Sequence, residues 1–206
     1  MARPVTYDTE EILASARKTF LEIGPSASTQ VLAKNAGVSE GTLFKRFGNK
    51  KNLFLQAIQF PSVEDRAWFR DLLERARTRS LEEVLVEAGQ GLQEHFSQAL
   101  PSIQMLMAYP DLTPADHRAV MGCENPMPLA IKRRFRELFQ AEMDAGRIPR
   151  GDAYALACFY AGAVINEAHH RLILEVRDDE GDPDDFARRM ARTMVTLLGL
   201  DPAQAA

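Results

Sequence analysis

Lys45, Arg46, Lys50 and Lys51 fall within seven residues, directly after Glu40, Gly41 and Thr42. Cations of this kind neutralise phosphates, and arginine or lysine can also donate to guanine O6 and N7. Threonine adds a hydroxyl for either a phosphate or a base edge. Taken alone, such a basic run suits a solvated face equally well, so its meaning depends on the elements that carry it. His169 and His170 form the other conspicuous pair. Neighbouring residues on a helix point about 100° apart, so the two do not readily share one metal. The chain has no HExxH, no glycine-rich phosphate loop and no GxSxG. No catalytic residue, metal or cofactor is therefore expected, and the chain reads as a binding protein rather than an enzyme.

The basic run lies in a series of short helical patterns. The first helix is expected over about Thr6 to Ile23, with Ile12, Ala16, Phe20 and Ile23 on one face and Gly24-Pro25 as its stop. A second runs from about Ser28 to Ala36 and is capped by Ser28 or Thr29. Gly37 supplies the tight turn, since only glycine takes positive φ without strain. Ser39 caps a third helix, Glu40 to Phe47, and Asn49 caps a fourth that begins at Lys50. Leu32, Leu43, Phe47 and Phe54 join Phe20 and Ile23 in a small core. The outward residues of the third helix are then Glu40, Gly41, Thr42, Lys45 and Arg46. Gly41 adds no bulk near the helix start, so the helix can sit deep in a major groove.

The run Ala36-Gly37-Val38-Ser39-Glu40-Gly41-Thr42-Leu43-Phe44-Lys45-Arg46-Phe47-Gly48-Asn49-Lys50 resembles the headpiece of the TetR family of transcriptional regulators. The likeness extends over residues 7–55. It implies a helix-turn-helix that reads an operator in double-stranded DNA. It also implies roles for single residues. Ser28 or Thr29 would give a hydroxyl and backbone N–H to a phosphate. Ser39, Thr42, Lys45 and Arg46 would face the groove, Lys50 would hold another phosphate, and Arg3 would reach the backbone or minor groove from the N-terminal arm. Two positions depart from the family pattern. Glu40 stands where lysine or arginine is frequent; its carboxylate repels phosphates but can accept from a cytosine amine. Phe44 replaces the usual tyrosine and lacks its hydroxyl.

Charge follows the same division. Residues 1–59 carry eight basic and five acidic side chains, a net of +3, whereas the whole chain is at −4. A positive headpiece on an acidic body directs the phosphates to one end. The break at Phe60-Pro61 separates the two, giving a DNA-binding domain over 1–58 and a helical ligand-binding and dimerisation domain over 59–206. Helices are expected at about 63–78, 81–99, 102–109, 127–145, 152–177 and 183–199. The segment between Tyr109-Pro110 and Pro128 reads as a loop with some helix. The fold class is all-α.

A single headpiece reads few base pairs, so a homodimer is expected, with the last two helices of each copy forming the interface. Residues 153–165 are apolar nearly all round, and Phe186, Met190, Met194 (or Thr193), Leu197 and Leu198 make a stripe on the final helix. The central helices would enclose a pocket for an unidentified small effector, apolar or aromatic. His95, Phe96, Met105, Met107, Phe159, Asn166 and His170 are its candidate contacts. Methionine and aromatic side chains adapt to irregular ligands, though each is equally at home in an ordinary core. No apolar run reaches the ~20 residues that span a bilayer. The N-terminus lacks a signal core, and Cys123 and Cys158 suggest no disulfide framework. A cytoplasmic repressor, released from its operator by the effector, is the resulting expectation.

Overall fold

The computed structural model describes residues 8–58, 60–121, 127–173 and 183–200; all of its regular structure is helical. The elements are α1 (Thr9–Ile23), α2 (Thr29–Asn35), α3 (Glu40–Phe47), α4 (Lys50–Ala57), α5 (Ala67–Arg70), α6 (Leu72–Arg75), α7 (Leu81–Ala108), α8 (Pro114–Met121), α9 (Met127–Asp144), α10 (Ala153–Ile173) and α11 (Pro183–Leu197). They form two compact units. One comprises residues 1–60 with 101–123, the other 61–100 with 124–206. The edge at Phe60/Pro61 is where the sequence breaks. The inclusion of 101–123 in the first unit departs from a linear division at 58/59.

In the first unit, each of the four N-terminal helices starts on a side chain that accepts a backbone N–H left unpaired by the helix. Asp8 caps α1 through Glu10, Ser28 caps α2 through Val31, Ser39 caps α3 through Thr42, and Asn49 caps α4 through Asn52. Gly37 takes φ 67° in the turn before α3, as a positive φ demands of its glycine. The core consists of Ile12, Phe20, Leu32, Leu43, Phe47 and Phe54, with Phe20 and Phe54 edge to face at 5.0 Å. Leu106 closes it from the end of α7, and Tyr109 stacks against Phe54 at 4.3 Å. Ile23, expected inside, is 51% exposed. Residues 110–121, expected as a loop with some helix, hold α8, whose Val120 packs on the same core, as does Leu112 just before it.

The second unit is built from α5, α6, most of α7, α9, α10 and α11 around Leu85, Leu92, Phe135, Phe139, Tyr160, Val164 and Met194. Two helices differ from the sequence pattern for local reasons. The single helix expected over 63–78 divides at Asp71, because the Arg134 guanidinium takes the carbonyls of Phe69 and Arg70 that would have continued it. The two segments expected at 81–99 and 102–109 are one helix, α7, which runs through Pro101. An exposed proline removes one N–H, and α7 carries that loss. Glu142, 2% exposed, is neutralised by a fork from Arg147, which also donates to the Ala76 carbonyl. Of the expected α11 stripe, Met194 lies in this unit's own core, and Phe186, Met190 and Leu198 are half-buried against it. Ala187, Ala191 and Val195 beside Met194 are buried, while Leu197, at 68%, and Thr193 are exposed.

Candidate nucleic-acid interface

The start of α3 is organised by three side-chain contacts. Ser39 Oγ accepts from Thr42 N at 3.1 Å and lies 2.9 Å from the Thr42 hydroxyl. Thr29 Oγ1, at the start of α2, donates to Glu40 Oε2 at 2.6 Å. This last contact joins the two helices of the helix-turn-helix at their N-terminal ends. A Cβ at Gly41 would meet only Ser39 Oγ, at 3.7 Å. The protein's own packing therefore leaves room for a side chain there, and the bare backbone matters only to something approaching from outside.

Glu40, Gly41, Phe44, Lys45 and Arg46 are exposed, while Leu43 and Phe47 of the same helix are buried. The exposed face thus carries two cations, one carboxylate, one bare backbone position and an aromatic ring. Two turns on, Lys50 opens α4 half-buried, and desolvation lowers its pKa. Ser28 is exposed with its oxygen engaged in the α2 cap, which leaves its O–H to donate outward. Arg3 lies outside the described residues.

Lys51, part of the basic run, is committed within the protein. Its Nζ lies 2.7 Å from Asp116 Oδ2 on α8. The same carboxylate oxygen accepts from the backbone N and the hydroxyl of Thr113, both at 2.7 Å. Lys51 first, then Thr113, hold the Asp116 carboxyl well below the usual carboxylate range. The Thr113-to-Asp116 spacing is a legible capping box. The ion pair was hidden from sequence reasoning because its partners are 65 positions apart in the chain. Thr19 is another hidden element. Buried on α1, it accepts from Asn35 of α2 and donates to the Ser15 carbonyl, which fixes the first two helices together.

The seven candidate effector contacts are not gathered in one place. His95 and Phe96 are in the core of the second unit, at 1% and 6% exposure. Met105 packs with the first unit's core. Met107 is 72% exposed and Phe159 53%, and Asn166 and His170 are exposed on α10. His95 is the most informative of them. Its Nε2 lies 2.9 Å from Met127 Sδ, a thioether that can only accept, and the contact is a hydrogen bond in the tautomer with the proton on Nε2. Nδ1 is then a buried acceptor without a partner among the described residues. No helix of the described residues is long and apolar enough to cross a membrane.

Residues 12–57 match the family model described as bacterial regulatory proteins, tetR family. Solved structures agree over nearly the whole length. A protein of Mesorhizobium loti assigned to the TetR family is 19% identical, with a TM-score of 0.70 over 91% of this chain and 95% of its own. The transcriptional regulator FadR of Bacillus subtilis, solved with stearoyl-CoA, is 13% identical, with a TM-score of 0.60 over 92% and 98%. NalD, the secondary repressor of the MexAB-OprM multidrug efflux pump in Pseudomonas aeruginosa, is 21% identical, with a TM-score of 0.60 over 91% and 93%. At these identities the likenesses carry the fold, and the family-model match describes the helix-turn-helix segment. The caps at Ser28, Ser39 and Asn49, the positive φ at Gly37, the basic outward face of α3 and the match over 12–57 make residues 12–57 a helix-turn-helix headpiece of the kind found in bacterial regulatory proteins of the tetR family.

Proposed function

We propose that the chain acts as a homodimeric repressor that holds an operator through α3 and releases it when a small, largely apolar molecule enters the second unit. The carrying observation is the outward face of α3, where Lys45 and Arg46 stand exposed beside the bare backbone of Gly41. In this reading residues 1–58 bind DNA, and residues 59–206 dimerise and sense. Thr42, Lys45 and Arg46 meet base edges, while Ser28, Ser39, Lys50 and Arg3 meet phosphates. Phe44 presents its ring to the sugar–phosphate wall. The chemistry is binding without turnover, and the place of work is the cytoplasm.

Dimerisation supplies the second half-site, about 34–36 Å along the duplex. The supporting surface is on α10, where Phe159 (53% exposed) and Asn166 stand out beside the small residues Ala155 and Gly162. α11 adds the exposed Leu197 and the half-buried Phe186 and Met190, with the half-buried Leu198 just after it.

The effector reading rests on His95. A single buried acceptor without a partner among the described residues, Nδ1, suits a ligand that carries one donor such as a hydroxyl on an otherwise hydrocarbon or aromatic body. FadR of Bacillus subtilis, crystallised with stearoyl-CoA, is a relative in fold that supports a ligand with a long hydrocarbon part. Release needs about 1–3 kcal/mol of coupling between effector and operator, obtained from different affinities for two arrangements of the headpieces. In this reading Pro61, shortly after α4, is the hinge at which α4 is moved.

Lys45→Ala with Arg46→Ala tests the DNA-binding half. The double variant is expected to keep its helicity and its dimer mass in sedimentation while operator affinity falls at least a hundredfold. Unchanged affinity in the folded dimer sinks the reading.

A further inference from the structure

On the reading of α3 as the recognition helix, we infer that Glu40 selects a cytosine in each half-site, and that Thr29 is the residue that aims it rather than a phosphate contact. The recognition face offers an asymmetric set of groups. Lys45 and Arg46 are donors only and suit guanine O6 and N7. Ser39 and Thr42 are turned to each other, with their oxygens 2.9 Å apart and Ser39 also capping α3. Glu40, exposed in the first turn of α3, is the carboxylate of this face.

Its orientation is fixed. Oε2 takes the Thr29 hydroxyl at 2.6 Å, across two helices whose starts are eleven residues apart. That contact fixes the carboxylate plane and leaves Oε1 to accept from outside. It also uses the proton that Thr29 would give to a phosphate. Gly41 beside it places no side chain between the carboxylate and a base edge.

The chemistry of the major groove narrows the partner. Cytosine offers the N4 amine with no acceptor on its own base edge. Adenine offers N6 beside N7, whose lone pair repels the second carboxylate oxygen. Guanine and thymine present acceptors. A carboxylate held at this point therefore rewards cytosine and penalises the other bases. It equally keeps α3 from sliding toward the phosphates, so the penalty is paid on non-cognate sequence as well.

Selection from a random duplex pool, run in parallel with the full-length protein and with Glu40→Ala, Glu40→Gln, Thr29→Val and Thr29→Ser, tests this. The unmodified chain is expected to select one invariant cytosine per half-site and to prefer it roughly ten- to hundredfold over other bases there. Glu40→Ala loses that preference at that position alone, and Glu40→Gln, which brings its own amide donors, no longer excludes the other bases. Thr29→Val weakens the preference and Thr29→Ser restores it. If Glu40→Ala keeps the same cytosine, or tightens binding to every sequence alike, Glu40 is only a repulsive surface charge and the inference fails. If the unmodified chain selects no sequence at all, the failure lies in the DNA-binding reading beneath it.

Discussion

His95 gives the sharpest prediction for the second unit. At 1% exposure its imidazole is held neutral, its pKa lowered from 6.5 to about 4, mainly by burial and secondly by the Arg66 guanidinium. A base whose pKa falls on folding binds fewer protons in the native than in the unfolded chain wherever the pH lies between the two values. Its contribution to stability is therefore intact above pH 6.5, is lost progressively as the pH falls, and levels off below about pH 4. At 1.36 kcal/mol per pKa unit, lowering the pH from 7 to 5 costs about 2 kcal/mol, and the full loss approaches about 3 kcal/mol. Trp68, the chain's single tryptophan, packs against the core of the second unit, to which His95 belongs, so its fluorescence reports the right unit during urea unfolding. The comparison is with His95→Leu, which keeps the bulk and removes the titration. Other groups titrate identically in both chains, so the difference between their pH dependences isolates the imidazole. If both lose the same stability between pH 7 and 5, His95 is not a buried neutral base and the effector reading built on its Nδ1 goes with it.

Three further outcomes follow from single contacts. Gly89→Ala places a methyl 2.5 Å from the Tyr160 hydroxyl, which donates to the Leu85 carbonyl, so despite the gain in helix propensity it should destabilise by about 1–2 kcal/mol in denaturant melts. Truncating Arg147 to alanine leaves the Glu142 carboxylate, 2% exposed, without its fork; a loss of about 2–3 kcal/mol is expected, against little for Arg150→Ala on the exposed surface nearby. Asp116→Ala frees Lys51 Nζ, and anisotropy titrations over a range of salt should show a slope steeper by about one per headpiece.

What the sequence revealed and what it hid divide along physical lines. The headpiece was legible because its signals are local. The caps at Ser28, Ser39 and Asn49, the turn at Gly37 and the inward spacing of Leu43 and Phe47 each act within a few residues, and the structure realises all of them. The division of 63–78 into α5 and α6 was not legible, since the guanidinium that causes it comes from Arg134, more than sixty positions away. The continuity of α7 through Pro101 reverses a strong local rule, because an exposed proline deletes only one hydrogen bond. The α11 stripe was read correctly as apolar, but apolar periodicity does not say which partner it faces; Met194 faces the chain's own core. The candidate interface fared similarly. Composition and spacing located Glu40, Lys45 and Arg46, yet the bonds of Glu40 to Thr29 and of Lys51 to Asp116 depend on how helices meet, which no local pattern encodes.

The central claim is that α3 brings two copies of this chain onto one duplex. Its most direct measurement is the affinity of the intact protein for its selected duplex, and for a scrambled duplex of equal length, between 50 and about 200 mM salt. The account predicts saturable binding of two chains per duplex, with at least about a thousandfold preference for the selected sequence. With Lys50 and Arg3 of each headpiece on phosphates, four cations in the dimer give a log–log salt slope of about −4. Equal affinity for the scrambled duplex, or binding indifferent to salt, contradicts it.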